Sequence, residues 1–210
     1  MDRDDQTLPE AVRSALLRAR HVISPDSRDV VTASLHSPHE HARVLALRAG
    51  AHHQWLRDDD WDEASRDGTA SVRREVASLL ARPHNTLATT TDILLRLLVD
   101  EDALVVDAAA FALGEREVVE AVPALMKVAT DHDDARCRES AIAALGAIGD
   151  PRAEATIIAA LTDKPPVRRR AVVALTNFEG EAVERALEAA RDDRDWQVRS
   201  AIDQLDRDVD

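Results

Sequence analysis

A short apolar phrase recurs along this chain at a nearly constant spacing, and that recurrence narrows the possible folds more than any single motif does. The clearest copies are Arg138-Glu-Ser-Ala-Ile-Ala-Ala-Leu-Gly146, Arg168-Arg-Arg-Ala-Val-Val-Ala-Leu-Thr176 and Val106-Asp-Ala-Ala-Ala-Phe-Ala-Leu-Gly114. Weaker copies are Val12–Leu17, Ala42–Leu47, Arg73–Leu80 and Val198–Leu205. Their final leucines are residues 17, 47, 80, 113, 145, 175 and 205, so the steps are 30, 33, 33, 32, 30 and 30. Such regularity marks repeated units that each bury a face on the next.

Each phrase has the periodicity of one buried helix. Val167, Ala171, Ala174 and Leu175 fall at i, i+4, i+7 and i+8, a single apolar stripe. A further apolar helix is predicted before most copies, over residues 91–99, 119–129, 153–161 and 183–190. Gly149-Asp150-Pro151, Lys164-Pro165-Pro166 and Gly180 supply turn signals between helices. Pro38, Pro151 and Pro165 stand where new helices would begin, the position at which proline is tolerated. Two helices per repeat predict an all-α solenoid of about six to seven two-helix units.

Composition agrees. Of the 210 residues 37 are Ala and only five are aromatic, which argues against a β-sandwich or barrel and for close helix packing. Forty acidic residues against 27 basic ones give a net charge of −13, spread over both halves of the chain. The single cysteine, Cys137, excludes an internal disulfide framework and a four-cysteine zinc site. The start Met1-Asp2-Arg3-Asp4-Asp5 lacks the pattern of a secretory signal, and no apolar run reaches membrane-spanning length. A cytoplasmic protein without membrane association is expected.

The order Asp, Val-Arg, Ala-x-x-Ala-Leu-Gly and then Gly-Asp-Pro, clearest over residues 134–151, resembles HEAT repeats of the short bacterial type found in bilin lyases. The resemblance implies a right-handed superhelix in one domain over residues 1–210. Residues 1–25 would be an N-terminal cap, 26–205 the repeats and 206–210 a polar C-terminal tail. It also implies that first helices line the convex side and second helices a concave groove, with Asp and Arg near the turns bridging adjacent repeats. Two stretches depart from the pattern. Trp55-Leu-Arg-Asp-Asp-Asp-Trp61 breaks the apolar spacing, so the segment near 52–68 is expected to be irregular. Residues 82–90, with Pro83-His84-Asn85 and a threonine run, read as a longer connection or helix start.

Catalytic constellations are sparse. His36, His39 and His41 cluster around Glu40, but Pro38 disfavours one helix carrying them, and solvated turn histidines are expected rather than a metal site. HEAT-type deoxyhypusine hydroxylases carry His-Glu pairs in several repeats. Here His39-Glu40 is followed by Arg74-Glu75, Val106-Asp107, Arg138-Glu139 and Arg168-Arg169, which cannot supply a di-iron ligand set. An alkylated-base DNA glycosylase of the HEAT type is the leading enzymatic alternative, with Arg168-Arg169-Arg170 as the basic run. The acidic net charge opposes duplex binding, so nucleic acid is not the expected partner. A bilin lyase is disfavoured because no residue marks a tetrapyrrole pocket. Cys137 stands where sister repeats have Val105, Val167 and Val198, which predicts a core residue. Phosphate-binding glycine loops are absent. No catalytic, cofactor-binding or metal-ligating residue is therefore assigned, and no cofactor is expected.

What remains is a surface. The residue six before each aligned leucine gives the row His41, Arg74, Asp107, Glu139, Arg169 and Arg199. These are the candidate groove residues, mixed at one end, acidic in the middle and basic at the other. The expectation is a monomeric, non-enzymatic scaffold that holds a protein or peptide partner on its concave surface.

Overall fold

The computed structural model describes residues 9–21, 25–82 and 89–209, and among these every regular element is helical. The chain forms two compact units, residues 1–93 and 94–210.

The first unit contains α1 (Glu10–Ala19), α2 (Pro25–Ser34), α3 (Glu40–His52), α4 (Asp58–Ala64) and α5 (Ala70–Leu80). Helix α6 (Thr90–Leu97) crosses the division between the units. Helix α1 packs on both α2 and α3, and α3 packs beside α5. Leu16, Ala19, Val31, Ala42, Leu45, Ala46 and Ala49 form one core cluster, which Val12 and Trp55 also touch. Alanine at these positions lets the backbones approach closely, and each buried leucine contributes about 1.5–3 kcal/mol.

The segment near 52–68 resolves into a turn and a short helix. Gln54 takes a left-handed φ of 56°, which redirects the chain after α3. Trp55 then stacks on His53 with ring centroids 4.4 Å apart. Gly50 allows this return, since a Cβ there would stand 2.5 Å from the Leu56 side chain. Helix α4 carries Asp58, Asp59 and Asp60 in its first turn, where the helix dipole favours negative charge. It buries Trp61 to 2 % exposure, so this departure from the apolar pattern is a shortened first helix with an aromatic anchor. Residues 83–88 of the expected connection lie outside the described residues; α6 opens at Thr90 within the threonine run.

The second unit continues with α7 (Ala103–Glu115), α8 (Val122–Asp131), α9 (Ala135–Ile148), α10 (Glu154–Ala159), α11 (Pro165–Leu175), α12 (Glu181–Ala190) and α13 (Trp196–Val209). Single turns of 3-10 helix at Val119–Ala121, Pro151–Ala153 and Ala160–Thr162 adjoin α8 and α10. Helices α7, α9, α11 and α13 pack side by side in that order, with α8 on α9, α10 on α11 and α12 on α11 and α13. This is the all-α two-helix solenoid that the periodicity predicts. Helix α13 extends to Val209, so most of the stretch expected as a tail is helical.

Local chemistry sets the helix ends. Asp102 and Asp134 cap α7 and α9 by accepting the amides two residues on. Gly149 closes α9 in the left-handed region at φ 67°. Pro165 occupies the first position of α11, whereas Pro38 precedes His39, the N-cap of α3.

Two glycines decide how closely the second helices pack. A Cβ on Gly114 would lie 2.7 Å from the Ala144 Cα, and one on Gly146 would lie 2.6 Å from the Ala174 Cβ and 2.8 Å from its Cα. The Leu-Gly of the repeated phrase is therefore a contact surface within the helix, and the chain turns a few residues later.

Candidate functional site

The register of the second helices is read from one buried row. Ala42, Val72, Val105, Cys137, Val167 and Val198 are each at most 1 % exposed. Cys137 is thus the core residue that its position in the repeat predicts. Its Sγ–H donates to the Ala103 carbonyl at 3.1 Å. Burial, and then the nearby Asp134 and Asp107 carboxylates, push its thiol up to about 11, which removes it as a nucleophile at neutral pH.

The residue after each of these is an arginine in five of the six helices: Arg43, Arg73, Arg138, Arg168 and Arg199, with Val106 as the exception. These arginines tie the turns together. Arg43 donates to both Asp67 carboxylate oxygens at 2.7 and 2.9 Å. Arg138 holds Asp163 through two bonds of 2.7 Å, and Arg168 holds Asp193 at 2.8 and 2.7 Å. Each guanidinium also donates to a carbonyl at the start of its own helix, as from Arg43 to Ser37 and from Arg138 to His132. The same carboxylates accept a backbone amide, from Thr69, Lys164 and Asp195. Each aspartate thus orders its own turn while receiving the arginine fork of the preceding repeat.

This geometry sets the pKa directions. The Arg138 and Arg168 guanidiniums hold the Asp163 and Asp193 carboxyls below the usual carboxylate range. For Asp67 desolvation pushes upward, but the bonds from Arg43 and Thr69 together bring the net shift down.

The predicted groove row is placed in parts. Arg74, Asp107, Glu139 and Arg169 stand one residue after the arginine position. His41 lies three residues ahead of that register, where Val44 is the equivalent residue. Arg199 stands at the arginine position itself and donates to the Asp193 carbonyl at 2.6 Å. In the second unit the row is cross-linked: Ser140 donates to Asp107, Arg170 stands 3.6 Å from Glu139, and Arg169 donates to Gln197 at 3.2 Å. In the first unit Arg48 grips Glu75 through bonds of 2.8 and 2.7 Å, while Arg74 is exposed.

The run Arg168-Arg169-Arg170 does not present three charges to one surface. Arg168 is 3 % exposed and committed to Asp193, whereas Arg169 and Arg170 are half-buried and turn to Gln197 and Glu139. The histidines also separate. His36 meets Glu63 at 3.1 Å, His39 stands at the N-cap position of α3 without a side-chain capping bond, and His41 is exposed. Among the described residues no group of three or more His, Cys, Asp or Glu side chains is arranged to hold a metal.

A depression of about 400 Å³ in the first unit gathers Arg20, Arg48, Arg74 and Arg82. Arg20 is the C-cap of α1 and Arg82 follows the C-cap of α5, so these cations compensate the negative ends of helices. Desolvation, followed by the charges of His53, Arg20, His21 and Arg82, lowers the pKa of nearby His52.

The exposed face of the second helices carries a feature that the charge row does not reveal. In the second unit it exposes Leu104, Phe111 and Val173, with Trp196 at the start of α13 exposed to 66 %. Phe111 and Val173 occupy the same repeat position, five residues after the arginine position, where α9 has Ala143. A bulky apolar residue interrupting an alanine-rich phrase is the signal that could have marked Phe111 in advance. Depressions of about 310 and 520 Å³ flank Arg170 on this face, one containing Phe111 and the other Val173 and Trp196.

No helix among the described residues is long and apolar enough to cross a membrane. The HEAT-repeat family pattern matches residues 53–146 and 131–206. No curated protein matches the sequence. Among solved structures, YibA of E. coli is similar at 20% identity and a TM-score of 0.66, covering 92% of this chain and 74% of that one. An engineered protein is similar at 19% identity and a TM-score of 0.60, covering 97% of this chain and 64% of its own length. At such identities the likeness concerns the fold. With its repeated Ala-Leu-Gly helices, its Arg–Asp ties and a family pattern matched over most of its length, this chain belongs to the HEAT-repeat family.

Proposed function

We propose that the protein is a non-enzymatic, monomeric interaction scaffold of the cytoplasm that holds a protein or peptide partner on the concave surface lined by the exposed face of its second helices. The observation that carries this reading is the exposure of Phe111, Val173 and Trp196 along that face, beside charged positions of the predicted row. Exposed apolar side chains clustered on one face favour a partner that covers them. The Arg–Asp ties support the same reading, since they fix helix spacing and present the face as a preorganised surface. In the row itself, Arg74, Asp107, Glu139 and Arg169 would set specificity and approach rate more than affinity.

The test is capture from native lysate, with and without nuclease, comparing wild type with a Phe111→Glu, Trp196→Glu double variant. Both residues are exposed, so the variant should keep its fold. The expected result is a protein retained by wild type, lost by the variant and indifferent to nuclease. Recovery of nucleic acid, or identical capture by both baits, would overturn the reading.

A further inference from the structure

We infer that the depression formed by α11 and α13 is a subsite for an acidic peptide segment, which places a carboxylate on Arg169 and Arg170 and an apolar side chain on Val173 and Trp196. This inference rests on the scaffold reading and specifies the chemistry of the partner.

The first observation is a local inversion of charge. The chain carries 40 acidic residues against 27 basic ones, yet this depression of about 520 Å³ is lined by two arginines and, among the described residues, no carboxylate. Its other polar groups, on Gln197, Ser200 and Gln204, are neutral. An acidic segment would be repelled by most of this protein's surface and attracted here, which gives specificity by charge as well as by contact.

The second observation is the incomplete pairing of Arg170. Its Nε–H is buried without a hydrogen-bond acceptor among the described residues. Its ion pair to Glu139 is long at 3.6 Å, whereas Arg138 and Arg168 hold their aspartates at 2.7 to 2.8 Å. The buried Nε is out of a ligand's reach, but the side chain is 43 % exposed, and its outer Nη groups keep the planar geometry that suits a bidentate carboxylate. Arg169 donates to the Gln197 amide oxygen at 3.2 Å, a bond that a carboxylate can displace.

The third observation is the apolar wall. Trp196 is 66 % exposed and Val173 44 % exposed, and they share the depression with Ala201 and Leu205. Trp and Arg are among the residue types enriched where binding energy concentrates at protein interfaces. Here the anchor and the charge clamp lie within one depression, so a short segment can use both.

The experiment is selection of a phage-displayed library of random peptides on the immobilised full chain. Enriched peptides are then synthesised and titrated by Trp fluorescence and calorimetry. The expected sequences carry Asp or Glu within a few residues of Leu, Phe or Trp. Arg170→Met and Trp196→Ala should each weaken the selected peptide about tenfold or more. Both sites are at least partly exposed, and an unchanged thermal melt shows that the fold persists. Binding should also weaken as salt rises.

Three results would overturn the inference: enrichment of basic or uncharged peptides, no enrichment, or acidic peptides that bind both variants as well as wild type. If lysate capture still depends on Phe111 and Trp196 in those cases, the scaffold reading stands and only the partner chemistry is wrong. If that capture also fails, both readings fall.

Discussion

Arg168 and Asp193 meet through two hydrogen bonds of 2.8 and 2.7 Å across adjacent repeats, with the arginine side chain only 4 % exposed. The same guanidinium also donates to the Asp163 carbonyl at 2.7 Å, so one side chain links two turns. Asp193 in turn accepts the amide of Asp195. Removing either partner leaves a desolvated charge behind, and that penalty outweighs the modest worth of an exposed ion pair.

Arg168→Met should therefore destabilise the protein by about 3 kcal/mol, at the lower end for breaking a buried pair because Asp193 keeps some access to water. Arg168→Lys should recover little, since an ammonium cannot reproduce the planar fork. Arg199→Met, at the exposed equivalent in α13, should cost less than about 1 kcal/mol. Urea unfolding monitored by circular dichroism checks the order of the three.

The ties also set the response to acid. Asp163 and Asp193 have folded-state pKa values below their unfolded values, held down by Arg138 and Arg168. The stabilisation is present above the unfolded carboxyl value of about 3.9 and is lost as pH falls through the lower folded values. Stability should therefore drop steeply below about pH 4. In Arg168→Met the Asp193 contribution to that slope should shrink, since only the Asp195 amide and the Arg194 charge still favour its carboxylate. Melting temperatures collected across this range for both proteins provide the comparison, and parallel curves would contradict the assignment.

Gly146 and Gly68 should respond oppositely to alanine. Helix propensity favours Gly146→Ala by about 1 kcal/mol. A Cβ 2.8 Å from the Ala174 backbone, however, forces α9 and α11 apart at a cost of about 1–3 kcal/mol. The packing effect should win, and the variant should be destabilised. Nothing lies within 4 Å of a Cβ on Gly68, so Gly68→Ala should be neutral or slightly stabilising. Denaturation midpoints of the two variants settle the contrast.

Cys137 offers a direct probe of opening in the second unit. Fully buried and with its thiol pushed up to about 11, it should resist a disulfide-exchange reagent at neutral pH. Labelling should instead follow unfolding and accelerate in Gly146→Ala. Prompt labelling of the native wild type would show that the α7–α9 interface opens readily.

The elements that the sequence made legible are those governed by local periodicity. The alanine-rich stripes predict the second helices, and the row of Val105, Val167 and Val198 correctly makes Cys137 a core residue. Two register errors have a physical cause. Leu47 stands in for the repeat leucine because Gly50 occupies the equivalent place, and a slip of three residues keeps nearly the same helix face. That slip brings His41 into the predicted row. At the other end Val198 is set opposite Arg168, although its burial matches Val167, and Arg199 enters the row in consequence.

Sequence alone thus determined the helical repeat, its period and the apolar face that each helix buries, because these follow from side chains a few residues apart on one helix. Only the tertiary structure decided which charges are spent. Arg168 and Arg169 are adjacent in sequence, yet one is locked to Asp193, 25 residues away, and the other faces outward. Likewise, only the packed helices show that Phe111, inside an apolar phrase, and Trp196, at the start of α13, are left uncovered. Whether a side chain is partnered depends on what another repeat brings within hydrogen-bond or van der Waals reach, and those distances exist only once the helices have packed.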